Sequence, residues 1–214
     1  TIEGDVTIDA GGEVVFEADV IGDDEITYTG WATQAGGTSS DDVDSVTVLA
    51  DGSSIVTGGF QGTATFGNTT LTSAGDSDVF VAKLDADGAY QWATKAGGAD
   101  YDYGTGVSVL ADGSSIVTGR FKGTATFGNT TLTSAGNSDV FVAKLDANGA
   151  YQWATKAGGA NYDKGSGVSV LADGSSIVTG RFAGTAEFGN TTLTSASSGG
   201  VVSIATEDVF VAKL

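Results

Sequence analysis

The chain has no cysteine, no histidine, no proline and no methionine in 214 residues, and only 9 lysines and arginines against 27 aspartates and glutamates. Without cysteine there is neither a disulfide nor a thiolate metal site. Without histidine, Ser-His-Asp and Cys-His catalysis and imidazole-ligated metals are excluded. No apolar run approaches the 18 residues of a membrane-spanning helix. The formal charge of −18 repels nucleic acid and anionic membrane surfaces, so neither nucleic-acid binding nor membrane insertion is expected. A translated chain needs an initiator, so the absence of methionine leads us to expect removal of an amino-terminal segment, either a cleaved secretion signal or trimming. Lack of cysteine and methionine suits an oxidising exterior, and an extracellular or cell-surface location is the expectation.

What is abundant is glycine, 34 residues, together with β-branched residues in short alternating runs. There is no G-X-Y period, which excludes collagen, and a hydrophobic content of 40% is too high for a disordered chain. The ten residues Leu110-Ala-Asp-Gly-Ser-Ser-Ile-Val-Thr-Gly119 also occur at Leu49–Gly58 and Leu171–Gly180, so Asp51, Asp112 and Asp173 are spaced by 61. A fixed period of this length is the first thing to explain.

Within one period the pattern predicts four strands. Val107–Val109 alternates, Asp112-Gly113 is a two-residue turn signal, and Ser115–Thr118 is β-branched at three of four positions. These form the first and second strands. Gly128-Asn129 suggests a small extra hairpin. Asp139–Leu145 is the third strand, Asp146–Gly149 a turn, and Ala150–Lys156 the fourth strand, closed by Ala157–Gly159. No window carries a helical stripe.

The expected organisation is a divergent partial repeat at 1–44, a first repeat at 45–105, a second at 106–166, and a third at 167–214 that ends after its third strand. In the partial repeat, Gly30–Gly37 matches Gln91–Gly98, with Trp31 and Trp92 again 61 apart, and Val14–Val20 resembles Val79–Leu84. The third repeat carries an insertion at 197–206, long enough for a flexible loop or an added strand.

The order Gly-Val-Ser-Val-Leu-Ala-Asp-Gly-Ser-Ser-Ile-Val-Thr-Gly, Phe-Gly-Asn-Thr-Thr-Leu-Thr-Ser-Ala-Gly, Asp-Val-Phe-Val-Ala-Lys-Leu-Asp, Gly-Ala-Tyr-Gln-Trp-Ala resembles the repeat of bacterial seven-bladed β-propellers. The resemblance runs from Thr29 to the end of the chain. It implies an all-β fold of tandem four-stranded antiparallel blades, about three and a half repeats of 61 residues, in a secreted or surface protein. The chain departs from that family in lacking prolines and in having too few blades to close a ring. The strand at 28–35 is expected to complete the blade begun at Gly167, leaving a spare ribbon near Asp5–Val20 as a donor for a neighbour's sheet edge. Association with other copies of the chain, as a ring or as a filament, is the expectation; the alternative reading of the same strand count is that the sequence is a fragment of a longer propeller.

Several residues are candidates for a site. Asp85-x-Asp87-Gly88 and Asp146-x-Asn148-Gly149 read as hairpin turns, or as a fragment of calcium-loop spacing in which Asp85, Asp87, Asp146 and Asn148 supply oxygens. Ca²⁺ is the one cofactor the spacing suggests. Asp100 with Asp102, and Asp41, Asp42 and Asp44, form an acidic column read as a solvated loop, with Ca²⁺ between blades as the other reading. Asn68, Asn129 and Asn190 each begin an N-x-[ST] triplet and are glycosylation candidates. Trp31, Trp92 and Trp153, with Tyr90 and Tyr151, read as packing between repeats, or as a sugar-binding platform. No catalytic residues are found and no enzyme is expected. The function expected is a non-enzymatic extracellular subunit of a fibre, sheath or surface layer that self-associates by strand exchange. The alternative is a carbohydrate-binding or adhesive module with glycan partners.

Overall fold

The computed structural model describes residues 4–8, 13–18, 26–196 and 206–214. Among them every regular element is a β-strand. β1 (Gly4–Ile8), β2 (Glu13–Ala18), β3 (Ile26–Trp31) and β4 (Ala35–Gly37) precede the first full copy of the repeat. That copy comprises β5 (Asp41–Val48), β6 (Ser54–Phe60), β7 (Thr63–Phe66), β8 (Thr69–Thr72), β9 (Asp78–Leu84) and β10 (Tyr90–Gly98). The second comprises β11 (Tyr103–Val109), β12 (Ser115–Phe121), β13 (Thr124–Phe127), β14 (Thr130–Thr133), β15 (Asp139–Leu145) and β16 (Tyr151–Gly159). The third comprises β17 (Lys164–Val170), β18 (Ser176–Ala183), β19 (Thr185–Phe188), β20 (Thr191–Thr194) and β21 (Glu207–Lys213).

The local expectations hold because they rest on turn chemistry. Each Asp-Gly pair turns the first strand of a copy into the second, with Oδ1 of Asp51, Asp112 and Asp173 accepting the amide of the serine two residues on. Each Gly-Asn pair closes the small hairpin, β7–β8, β13–β14 and β19–β20. The inserted segment lies, up to Ala205, outside the described residues.

The expected architecture is corrected. Among the described residues the strands do not gather into uniform four-stranded propeller blades, and no sheet closes on itself. They form sheets of three, six, six, three and three strands, ordered β1-β2-β3, β14-β13-β10-β9-β6-β5, β11-β12-β15-β16-β19-β20, β17-β18-β21 and β4-β7-β8. The physical reason lies in the tail of the fourth strand. β10 pairs with β9 over most of its length and then, through Gly97 and Gly98, with β13 of the next copy. A Cβ at Gly98 would run into the Thr124 carbonyl, so glycine is what lets the two backbones meet. β16 repeats this with β19. The sequence period is therefore not a period of self-contained sheets, and the resemblance to the propeller repeat does not extend to the fold.

The expected completion of the third sheet within the chain is corrected as well. β3 pairs with β2, β4 pairs with β7, and among the described residues β21 pairs with β18 alone. The ribbon expected to be spare is also paired internally, since β1 and β2 form an antiparallel pair and β2 continues into β3.

Successive copies stack through their first strands. β11 lies against β5, β6 and β9, and β17 lies against β11, β12 and β15. This gives β6, β9, β12 and β15 two buried faces. One face of β9 and β15 points its phenylalanine at the small hairpin: Phe80 meets Phe66, and Phe141 meets Phe127, at centroid separations of 4.8 and 4.7 Å. On the other face Val79 and Val81 pack with Ile55 and with Val107 of the following copy. Val140 and Val142 likewise pack with Ile116 and with Val168 and Val170 of the third copy.

Candidate functional site: two open sheet ends

The residues singled out from sequence fall into three groups. Asp85 and Asp146 sit in the β9–β10 and β15–β16 turns. Oδ1 of Asp85 accepts the amides of Asp87 and Ala89, and its Oδ2 accepts the Gln91 side-chain amide at 2.7 Å. Asp146 does the same with Asn148, Ala150 and Gln152. These carboxylates are turn acceptors, and among the described residues no cluster of three or more acidic side chains is arranged to hold a metal. Asn68, Asn129 and Asn190 are exposed at the tips of the three small hairpins.

Two of the three tryptophans, Trp31 and Trp92, bind copy to copy, while Trp153 is exposed. The indole N–H of Trp31 donates to the Ala86 carbonyl at 2.9 Å, and that of Trp92 to the Ala147 carbonyl at 3.2 Å. Each ring lies over the turn of the copy that follows.

The acidic column is not a solvated loop throughout. Asp102 and Asp163 are fully buried. Oδ2 of Asp102 accepts the Gly98 amide at 2.7 Å and Oδ1 accepts the Lys122 amide at 3.1 Å. Across Gly97 it meets buried Asp78, whose Oδ2 takes a salt bridge from Lys95 at 3.1 Å and whose Oδ1 has no partner. Burial pushes the Asp102 carboxyl up to about 7 against the pull of its two amide donors, and the charges of Asp78 and Asp100 add to the rise. Asp163 is raised for the same first cause, with Asp139 as its charged neighbour. The signal was in the sequence, since Asp78, Asp139 and Asp208, like Asp41, Asp102 and Asp163, stand at matching positions of the copies.

The feature that sequence reasoning anticipated only as an incomplete strand count is the condition of the two ends. At the carboxyl end, Val209 and Val211 of β21 are 83% and 71% exposed, while their counterparts Val79, Val81, Val140 and Val142 are at most 3% exposed. Thr179 is exposed where Thr57 and Thr118 are fully buried. Phe188 packs on Phe210 at 4.5 Å, and among the described residues no tyrosine caps this pair as Tyr90 caps Phe66 and Tyr151 caps Phe127. A cavity of about 250 Å³ opens beside Phe188 and Phe210 instead.

At the amino end, Val43, Val46 and Val48 of β5 are 64%, 60% and 67% exposed. Val46 corresponds to Val107, which is 6% exposed against the sheet before it. Ala32–Ala35 are exposed, although their counterparts Ala93–Ala96 pair with β9. Beside them lies an open cleft of about 520 Å³ that includes Gln34, Ala35, Gly36, Gly37 and Asp41. Oδ2 of Asp41 accepts the Gly37 amide at 2.8 Å, as Asp102 does for Gly98, and Oδ1 of Asp41 has no partner. Among the described residues, an apolar face and an unpaired strand edge thus lie at β21 and at β4 and β5, on positions that form buried contacts in the other copies. No protein-family model matches the chain, and comparison with curated proteins gives no match.

Proposed function

We propose that the chain is a non-enzymatic, extracellular structural subunit that associates with other copies of itself through open sheet edges and their flanking apolar faces, building a fibre, sheath or surface layer. The observation that carries this reading is the exposure of Val209 and Val211 at positions whose counterparts in the other two copies are buried. An exposed valine alone is ordinary. A contiguous apolar face beside an unpaired edge strand is what natural sheets avoid unless something covers it. The two ends differ in their residues, so the contact is heterologous and continues from copy to copy unless the rotation closes it. Exposed asparagine triplets at the hairpin tips are in keeping with an extracellular surface.

The test is a concentration series of the purified 214-residue chain by light scattering and negative-stain microscopy at moderate salt. Ordered polymers without added ligand are expected. Monodisperse single copies at every concentration, particularly if they retain sugars on a glycan array, would replace this reading with that of a binding module.

A further inference from the structure

We propose that the half-sheet β17-β18-β21 of one copy is completed by β4-β7-β8 of the next, with Val209–Ala212 pairing antiparallel to Ala32–Ala35. This rests on the self-association reading and names the joint.

The two intact six-stranded sheets define what a complete sheet is in this protein. Each runs from the first strand of a copy, through its second, third and fourth, to the small hairpin of the next, as in β11-β12-β15-β16-β19-β20. β17-β18-β21 is the first half of that order, and β4-β7-β8 is the second half. β4 already pairs with β7 in the register of the intact sheets, Gly36 opposite Thr65 as Gly97 is opposite Thr126.

The intact sheets also fix the register of the joint. Ala93, Thr94, Lys95 and Ala96 face Ala82, Val81, Phe80 and Val79, and the second copy repeats this pairing. The same register places Ala32, Thr33, Gln34 and Ala35 opposite Ala212, Val211, Phe210 and Val209. It begins one residue beyond Trp31, which β2 holds opposite Glu13. The β5 that follows then lies over Val209 and Val211, bringing Val46 and Val48 onto them as Val107 packs on Val79 and Val81. Asp41 comes to face Asp208 across Gly36, as Asp102 faces Asp78 across Gly97.

Three substitutions make this joint weaker than those inside the chain. Gln34 stands where Lys95 and Lys156 bridge to Asp78 and Asp139, so the Asp41–Asp208 contact has no cation. Thr29 stands where Tyr90 and Tyr151 cap a phenylalanine. Val43 stands where Gly104 touches Thr57 and Val79 with no room for a Cβ, so β5 must sit slightly further from its partner. Reversible association follows.

The absence of native cysteine makes the register directly testable. Cβ atoms of directly opposed residues lie about 4.5–5.5 Å apart, against roughly 7–8 Å for the diagonal neighbour, so only the opposed pair approaches disulfide geometry. A chain carrying Ala35→Cys with Val209→Cys, mildly oxidised at an assembling concentration, should give a ladder of covalent multimers. The diagonal pair, Ala35→Cys with Val211→Cys, should give at least tenfold less. Adding Val211→Lys to the opposed pair should remove the ladder, while β-sheet circular dichroism stays unchanged because the residue is exposed. Assembly by light scattering with no ladder, or with a stronger diagonal ladder, overturns the joint and leaves the self-association reading in place. No species larger than one copy at any concentration overturns both.

Discussion

The second and third copies of the repeat share nearly all their residues and live in different surroundings. Val140 is 1% exposed and Val209 is 83% exposed. Thr118 is buried and donates to the Phe141 carbonyl at 2.8 Å, whereas Thr179 is exposed and reaches the Gly167 carbonyl at 3.5 Å. Phe127 has a tyrosine against it and Phe188 has a cavity beside it. What differs is that β16 pairs with β15 and β17 lies over β15, while among the described residues β21 pairs with β18 alone. Burial in this molecule is conferred by the next unit in line, as in stacked-repeat proteins where each unit cannot cover its own apolar face.

The magnitudes suit a weak joint. Burying a valine contributes about 1.5–3 kcal/mol, so Val209 and Val211 on one side and Val46 and Val48 on the other supply roughly 6–12 kcal/mol before costs. Association costs on the order of 4–15 kcal/mol in lost freedom. The two nearly cancel, and small changes at the joint should move the balance visibly.

The largest expected break in the comparison is Val140→Lys against Val209→Lys. At the buried position an unpaired charge has no escape, so the first variant should be unfolded or nearly so in chemical denaturation. The second should unfold within about 0.5 kcal/mol of the parent while losing association. Equal destabilisation of the two would mean that the open face is covered in solution by some other route.

Next in size is the pH dependence of folding. The carboxyls of Asp102 and Asp163 are raised in the folded state, Asp102 to about 7 from an ordinary value of 3.8. The folded chain therefore holds more protons than the unfolded one between those values. The contribution of these groups to stability is complete below the unfolded pKa, falls as pH rises toward about 7, and is level above. Thermal midpoints measured from pH 4 to 8 should decline and then flatten. A midpoint rising across that range would show these carboxyls to be ionised.

Smaller effects sharpen the comparison. Gln34→Lys should strengthen association a few-fold by restoring the cation that Lys95 and Lys156 supply, and the gain should shrink as salt screens it. Val43→Gly should also strengthen association if the face contact copies the internal one, despite the ordinary penalty for glycine in a strand. The parent chain, at a formal charge of −18, should associate better as salt rises from low values.

Much of this was legible in the sequence, and the part that was not has an identifiable cause. Strands, turns and small hairpins follow from Asp-Gly and Gly-Asn pairs and β-branched runs, which act over a few residues. The grouping of strands into sheets does not. It depends on Gly97-Gly98 reaching past its own copy to β13, a contact that alternation cannot reveal and that turned expected four-stranded blades into six-stranded sheets. The buried Asp102 looked like loop polarity because its function is to accept the Gly98 and Lys122 amides, which are distant or hidden partners. The open ends were half visible. The strand count points to an incomplete third sheet, but only the structure shows that Ala32–Gln34 lie outside any strand, that Ala35 pairs with β7, and that β2 pairs with both β1 and β3.

The most direct measurement is hydrogen–deuterium exchange of the unmodified chain, compared between a dilute and an assembling concentration. Amides of Glu207–Lys213 and of Ala32–Ala35 should gain protection together, with no change in Asp139–Leu145, whose partners are already in place. Assembly that protects some other surface and leaves these two segments exchanging as before would contradict the account.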